Sequence, residues 1–494
     1  MKHLEIERRF VLYPCSMKRF LKRDSIHFRS YSIVQFYLVA REGEAVRYRR
    51  CGRVYTRTVK RGSGLVREES EEPITKEIFD EAFHRNSGGV IRKRRYVFSM
   101  EGLTFELDSF KKPLKGLNIL EVEFARKSDA ERFKLPEIFR SILVSEVTGD
   151  TSFTNGAISR RMKIPPIESP LSELLKEVDK RGEFLKASVS VGFGPYESGA
   201  HALKAIIYSL VKTVHSNRAA ILEGSQDPER LHQLRVAMRK MRALFSQLDG
   251  LFDPLWLQRH KERVASLMRV TGEMRDMDVY IEEIEGFREM LPKRLHDALD
   301  RLERHLISRQ KSERKRLHDF LLGEAFCREI EELGKFAETP SEEGLSPEAA
   351  TPVILPVKKA LRLRYAKILK KGSRIDEESP AHRYHEIRID IKKLRYMMEF
   401  FSPIFDEEAY RQMMQRVKSI QTILGKHQDL DVQSEHLKSL ERQPDLYDEA
   451  ALEAFRALLG RMSAMKREKR LEFRREFADF SKTGALFGKM VCKF

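Results

Sequence analysis

His232-Gln-Leu-Arg235-Val-Ala-Met-Arg239-Lys240-Met-Arg242 returns 153 residues later as His385-Glu-Ile-Arg388-Ile-Asp-Ile-Lys392-Lys393-Leu-Arg395. The same offset carries Gly272-Glu-Met-Arg-Asp276-Met-Asp278-Val279 onto Gly425-Lys-His-Gln-Asp429-Leu-Asp431-Val432. A gapless repeat of this length lies outside the short-period solenoids. It predicts a duplicated helical unit whose two copies pack about a pseudo-twofold. At about 100° per residue, His232, Arg235, Arg239 and Arg242 share an arc of roughly 80°. Leu234, Met238, Met241, Phe245 and Leu248 form a separate apolar stripe. One basic helix face is ordinarily a solvated surface. Solvation does not require a histidine and three cations at identical positions in both copies, so the pair predicts an anion-binding role.

Lys+Arg number 93 against 75 Asp+Glu, a formal net charge of +18. The expected partner is therefore a polyanion: nucleic acid, an anionic membrane or polyphosphate. No reader motif and no aromatic residues interleaved with the basic stripe favour nucleic acid, and an all-phosphate ligand needs cations only. Cys15, Cys51, Cys327 and Cys492 show neither CxxC nor zinc spacing, which argues against a disulfide framework or a metal knot. The charged start Met1-Lys2-His3-Leu4-Glu5 is unlike a signal peptide, and no run approaches the ~20 apolar residues of a membrane span. The expectation is a cytoplasmic protein, not a membrane one.

With 494 residues, two or three domains are expected. Residues 1–160 alternate as strands, including Val34–Ala40, Ala45–Arg50, Val54–Lys60, Tyr96–Met100, Leu103–Phe110 and Ile119–Phe124, with one helix over Thr75–Phe83. Residues 161–196, with Pro165, Pro166, Pro170, Gly192, Gly194 and Pro195, read as a linker. Residues 197–494 are helical, with repeat copies at about 197–338 and 353–494. The Pro-rich break Thr339–Pro347 precedes the second copy. The fold class is thus α+β, a β domain joined to a duplicated all-α bundle.

Along the β domain, charge of both signs gathers on one face of nearly every strand: Glu5, Glu7 and Arg9; Arg47 and Arg49; Thr58 and Lys60; Arg67, Glu69 and Glu71; Lys93 and Arg95; Glu106 and Asp108; Glu121 and Glu123. The bland reading is an amphipathic sheet with its charges in water. The alternative is a closed polar barrel, in which carboxylates hold a divalent metal through oxygen and Arg or Lys clamp phosphate. That is equipment for hydrolysing a phosphoanhydride.

At these residues the chain resembles the CYTH domains, the triphosphate tunnel metalloenzymes. Glu5-Ile-Glu7-Arg-Arg9 looks like their ExExK strand, with Arg9 in place of lysine. Arg47-Tyr-Arg49, Thr58-Val-Lys60, Arg67-Glu-Glu69-Ser-Glu71, Lys93-Arg-Arg95, Asp108-Ser-Phe110 and Glu121-Val-Glu123 follow in family order. The resemblance implies an eight-stranded antiparallel β tunnel using Mg2+ or Mn2+ on tripolyphosphate or a related triphosphate. Glu5, Glu7, Asp108, Glu121 and Glu123 would hold metal. Arg47, Arg49, Lys60, Arg67, Lys93 and Arg95 would bind substrate, and Glu5, Glu7, Arg9, Glu69 and Glu71 would form the catalytic set.

The second half resembles the CHAD domain, a conserved-histidine helical domain that binds polyphosphate. This implies ligand contacts from His232, Arg235, Arg239, Lys240 and Arg242, and from His385, Arg388, Lys392, Lys393 and Arg395, with the stripes facing across a groove. Each histidine reads as a neutral hydrogen-bond donor to phosphate or as a core residue. The Asp pairs read as groups that orient the cations or cap a helix turn, and a metal site at these acids or at the two histidines is the alternative, against which neither histidine has a second ligand at suitable spacing. Such a ligand also allows association with polyphosphate granules. The expected function is a metal-dependent triphosphatase. The alternatives are a non-enzymatic polyphosphate-binding protein and, as a minority use of the tunnel, an adenylate cyclase.

Overall fold

Among the described residues there are nine strands, most of them alternating charged and apolar residues: β1 (Ile6–Leu12), β2 (Arg29–Arg41), β3 (Glu44–Cys51), β4 (Val54–Arg61), β5 (Glu68–Pro73), β6 (Ile91–Met100), β7 (Leu103–Phe110), β8 (Asn118–Phe124) and β9 (Leu143–Glu146). The computed structural model describes residues 6–41, 44–61, 68–189, 191–441 and 448–492. The strands form one antiparallel sheet in the order β5-β4-β3-β2-β6-β7-β8-β1-β9. Glu101 and Gly102, both at positive φ, make the two-residue turn that joins β6 to β7.

This sheet corrects the expected eight-stranded tunnel, because it is open. A barrel would have to close through the outer edge of β1, and β9 occupies that edge with Phe10 opposite Glu146 and Val11 opposite Ser145. The unforeseen β9 is four residues long and its pairing is interrupted by a register shift at Val11/Leu12. At the other edge, β5 reads Glu-Glu-Ser-Glu-Glu-Pro. The carboxylates of Glu71 and Glu72 there repel an approaching strand, and Pro73 has no N–H to offer one.

Six short helices accompany the sheet: α1 (Met17–Arg23), α2 (Lys76–His84), α3 (Lys127–Arg132), α4 (Glu137–Arg140), α5 (Asn155–Arg161) and α6 (Leu171–Asp179). The expected helix near Thr75–Phe83 is α2, with Thr75 as its N-cap. On the apolar face, Phe10, Phe98, Phe105, Leu107, Leu120 and Val122 are buried with Phe20 of α1 and Phe139 of α4, in a core continuous with the bundle. On the polar face, Val11, Ile91, Phe110 and Ile119 pack with Phe153, Ile158 and Tyr196 and plug one end.

The bundle comprises α7 (Gly199–Leu222), α8 (Pro228–Gln247), α9 (Pro254–Val270), α10 (Gly272–Glu289), α11 (His296–Leu322) and α12 (Glu324–Glu338), then α13 (Ile354–Gly372), α14 (Ala381–Phe400), α15 (Glu407–Glu441), α16 (Glu449–Phe480) and α17 (Gly484–Cys492). The repeat is visible in the helices: α8 starts at 228 and α14 at 381, α9 at 254 and α15 at 407, α11 at 296 and α16 at 449. Asp227 caps α8, accepting from the Glu229 N–H, and Pro228 occupies its first turn. The predicted stripe Leu234, Met238, Met241, Phe245 and Leu248 is buried. A second core joins the far ends of both copies, with Ile284, Phe287 and Leu299 against Leu437, Phe455 and Leu458.

The stretch read as a linker is packed: Phe184, Ala187, Val189, Val191 and Phe193 enter the main core. The sheet also docks on the second copy. The Tyr13 hydroxyl donates to the Ile404 carbonyl at 2.8 Å, and Lys358 Nζ donates to the Pro14 carbonyl at 2.9 Å while lying 4.4 Å from the Tyr13 ring centre. Among the described residues, no helix is long and apolar enough to cross a membrane.

Candidate functional site: a charged sheet face and a cationic seam

Register brings together on one face the charged residues that strand alternation assigns to it. Glu7 lies opposite Glu123 and Arg9 opposite Glu121, Glu121 opposite Glu106, Arg95 opposite Asp108, Arg47 opposite Thr58, and Thr58 opposite Glu71. Glu5 and Arg67 lie outside the described residues. Of Lys60 and Glu69 the backbone alone is described, with the two opposite each other on β4 and β5.

Arg95 is the hub. Its Nε donates to Asp108 Oδ1 at 2.8 Å and its Nη2 to Asp108 Oδ2 at 2.6 Å and to Glu121 Oε2 at 3.0 Å, while Nη1 bonds Glu106. Lys93 also donates to Asp108 Oδ2, at 2.5 Å, and to Asn155 Oδ1 on α5 at 3.2 Å. Lys93 and Asp108 are each only 1% exposed because they sit where the apolar plug meets the polar face. Burial pushes the Lys93 ammonium down to about 8 against the pull of Asp108. Burial alone would raise the Asp108 carboxyl, but Lys93 and Arg95 outweigh it and hold it well below the usual carboxylate range. Both Asp108 oxygens are therefore engaged by cations.

Toward β1, Arg9 donates to Glu7 through Nε at 2.8 Å and through Nη2, and Nε lies 3.8 Å from Glu121. Burial, then the nearby Asp108, raise the Glu121 carboxyl. Toward β5, Arg47 donates to Thr58 at 3.0 Å and Glu71 at 3.1 Å. Arg49 sits between these groups with a buried, unpartnered Nε; burial and then Arg95 and Arg47 lower its guanidinium. Sequence reasoning missed Glu106 as a partner of Arg95, although alternation had placed it on this face. It also missed Asn155, whose position depends on how α5 folds back.

Glu7, Glu121 and Glu123 lie together at the β1–β8 end, Glu7 held by Arg9 and Glu121 by Arg95. Oxygen donors of this kind could hold a hard divalent cation. Among the described residues, the tight set of three ligand-type side chains lies elsewhere, at His260, Glu329 and Glu332. There His260 Nδ1 is 2.8 Å from Glu329, and Arg263 Nη1 is 3.3 Å from Glu329 and 2.7 Å from Glu332.

In the bundle, the basic stripes of α8 and α14 meet. Lys392 is pushed down to about 7 by burial, then by Arg388 and Arg239, and Arg388 is lowered by burial with Asp429 opposing and Arg239 adding. Arg239 from one copy thus stands against Arg388 and Lys392 from the other. Among the described residues none of these three has a hydrogen-bond acceptor or an ion-pair partner, and the Nε of Arg388 is buried. Arg235 is tethered, donating to the Met268 carbonyl at 2.8 Å and Thr271 Oγ1 at 2.6 Å. Arg242 is exposed, and Arg395 Nε lies 3.2 Å from Glu399.

His232 is half-buried and held down by burial, then by Arg275, while His385 is exposed with Nδ1 2.6 Å from Gln428. Lys240 is buried and already partnered, donating to the Ala187 carbonyl at 2.6 Å and pairing at 2.8 Å with Glu399 of α14, the carboxylate that also lies beside Arg395. Lys393 faces elsewhere, toward Arg364 and Asp390. Asp278 accepts from Gln310 at 2.8 Å, and Asp431 pairs with Lys466 at 3.3 Å, so these two acids do not hold the stripe. Asp276 bears on Arg235 and Asp429 on Arg388.

The model of the CHAD domain matches residues 205–438. The crystal structure of the CHAD domain from the plant Ricinus communis aligns over 59% of this chain and 95% of its own, at 22% identity and a TM-score of 0.50, a likeness of fold. A protein of Nitrosomonas europaea named inorganic triphosphatase is 34% identical over 115 residues, 23% of this chain and 74% of the relative. The chain therefore belongs, through its N-terminal region, to the family of that triphosphatase, and it carries a CHAD domain in its C-terminal region.

Proposed function

We propose that the protein is a metal-dependent hydrolase of inorganic triphosphate or a related triphosphate whose helical domain binds polyphosphate. The observation that carries the first part is the division of the charged face. Cations at Arg47, Arg49 and Arg95 adjoin carboxylates at Glu7, Glu121 and Glu123, on a sheet homologous to a triphosphatase. Glu7, Glu121 and Glu123 would hold Mg2+ or Mn2+, which when bound neutralises phosphate charge and acidifies water. Arg47 and Arg49 would grip phosphate oxygens through forked donors. Arg95, fixed by Asp108, would keep a charge aimed at the bound chain with no reorganisation.

The test is phosphate release from tripolyphosphate, ATP and long-chain polyphosphate with Mg2+ and Mn2+. Glu7→Gln is expected to fold normally and lose metal-dependent release by on the order of 10²–10³-fold, the scale for one charge-stabilising group in an active site. Full turnover in the folded variant would overturn the assignment.

A second reading, a binding protein without turnover, is favoured by one contact: Arg9 engages Glu7 through two nitrogens. Both nitrogens converge on Glu7 Oε1, which a lysine, with its single nitrogen, cannot reproduce. Arg9→Lys is expected to free Glu7 and raise turnover, measured as steady-state phosphate release. Lower activity in Arg9→Lys would mean that the site is built around the guanidinium.

A further inference from the structure

On the side of α14 away from the seam, the two repeat copies differ in kind. The first copy has Val211, Val214 and Ala237 at positions that become Arg364, Lys367 and Asp390 in the second. The first set is apolar and buried. In the second, Asp390 is 4% exposed and faces three cations: Arg364 bonds Oδ1, Lys371 Nζ is 3.1 Å from Oδ2, and Lys367 Nζ is 3.6 Å from Oδ1. Lys393 and Lys261 approach the same cluster, and Lys393 is lowered by burial, then by Arg364. Glu386, 2.7 Å from Lys371, supplies the second carboxylate.

Packing does not explain this substitution. A buried ion pair is on balance no more stabilising than well-packed apolar residues, and the first copy shows that the fold accepts Val and Ala here. One buried carboxylate faces three cations, and Arg364, Lys367, Lys371 and Lys393 together outnumber the carboxylates of Asp390 and Glu386 by four to two. Lys261 also lines a surface depression with Asp249, Gly250, Pro254, Leu257, Gln258 and Glu262, so the cluster adjoins an opening to solvent. Arg364 is oriented by its Nε donating to Gln247 Oε1 at 3.0 Å while its Nη1 bonds Asp390 Oδ1.

We propose that Arg364, Lys367, Lys371 and Lys393 form a second anion site, separate from the α8–α14 seam, that takes a phosphate group. Asp390 holds Arg364, Lys367 and Lys371 in the free protein and competes with the phosphate for them. The ligand is a phosphate group, either free inorganic phosphate or a unit of a longer chain, and the site does not require the seam to be occupied.

The experiment is lysine acylation footprinting of the full chain, read by mass spectrometry at Lys367 and Lys371, which are 50% and 30% exposed. It is run with inorganic phosphate, tripolyphosphate or long-chain polyphosphate, on the native protein and on Arg239→Ala/Lys392→Ala. The expected result is loss of acylation at both lysines in either background. Protection by all three probes assigns a free phosphate site, and protection by the long chain alone assigns a unit of that chain. Asp390→Asn is expected to bind the protecting probe roughly tenfold tighter, since removing one screened negative charge near a protein surface strengthens an anion. Acylation unchanged by every probe, or weaker probe binding in a folded Asp390→Asn protein, overturns the proposal. Failure of the seam reading would show instead as unchanged polyphosphate affinity in Arg239→Ala/Lys392→Ala.

Discussion

Replacing Asp108 by alanine is expected to destabilise the sheet domain by about 3–5 kcal/mol, the cost of leaving a buried charge without its partner. Asp108 is the acceptor shared by Lys93 and Arg95, and Lys93 is as deeply buried as the carboxylate itself. Asn155 gives Lys93 only a neutral acceptor. Thermal or denaturant unfolding of Asp108→Ala checks this, and a change below about 1 kcal/mol, the level of an exposed pair, would refute the argument. Lys93→Met with Asp108→Leu is expected to recover part of the loss, because apolar replacement removes both desolvation costs. The linkage has a definite sign. The folded carboxyl is held below its unfolded value, so its contribution is complete above an unfolded pKa of about 3.9 and is lost as pH falls below it.

Arg239→Ala combined with Lys392→Ala is expected to weaken long-chain polyphosphate binding by roughly 10²–10³-fold and to reduce the salt dependence by about two ions per bound site. Each single variant should weaken it, since the three unpaired cations come from both copies and stand against one another. Titration calorimetry at several salt concentrations reads both quantities. If one stripe accounts for all the binding and the other for none, the shared seam is wrong. Duplex DNA competing equally per phosphate would show the ligand class to be wrong. Because Lys392 in the free protein is pushed down to about 7, an anion that favours its charged form should bind with proton uptake. Affinity should fall as pH rises through 7 and above, and this pH dependence should vanish in Lys392→Ala.

The helical half was legible because its information is periodic. A constant offset of 153 residues repeats His, Arg and Asp with the apolar stripe between them, and a helix converts such spacing into faces without further help. That Glu7, Arg9, Arg95, Asp108 and Glu121 share one sheet face was equally legible, since strand alternation assigns faces. Closure of the sheet was not, because it depends on an edge. Four residues, Leu143–Glu146, pair with β1, and nothing local in Leu-Val-Ser-Glu announces a strand. Lys240 and Lys393 stand one residue from Arg239 and Lys392, and in sequence they look like further members of the stripe. The helix turns about 100° between neighbours, which sends Lys240 to Ala187 and Glu399 and Lys393 to Arg364 and Asp390. Local periodicity thus determined the elements and their charged faces. Tertiary packing alone decided which cations lost their partners, because a charge is satisfied or stranded by residues far away in the chain.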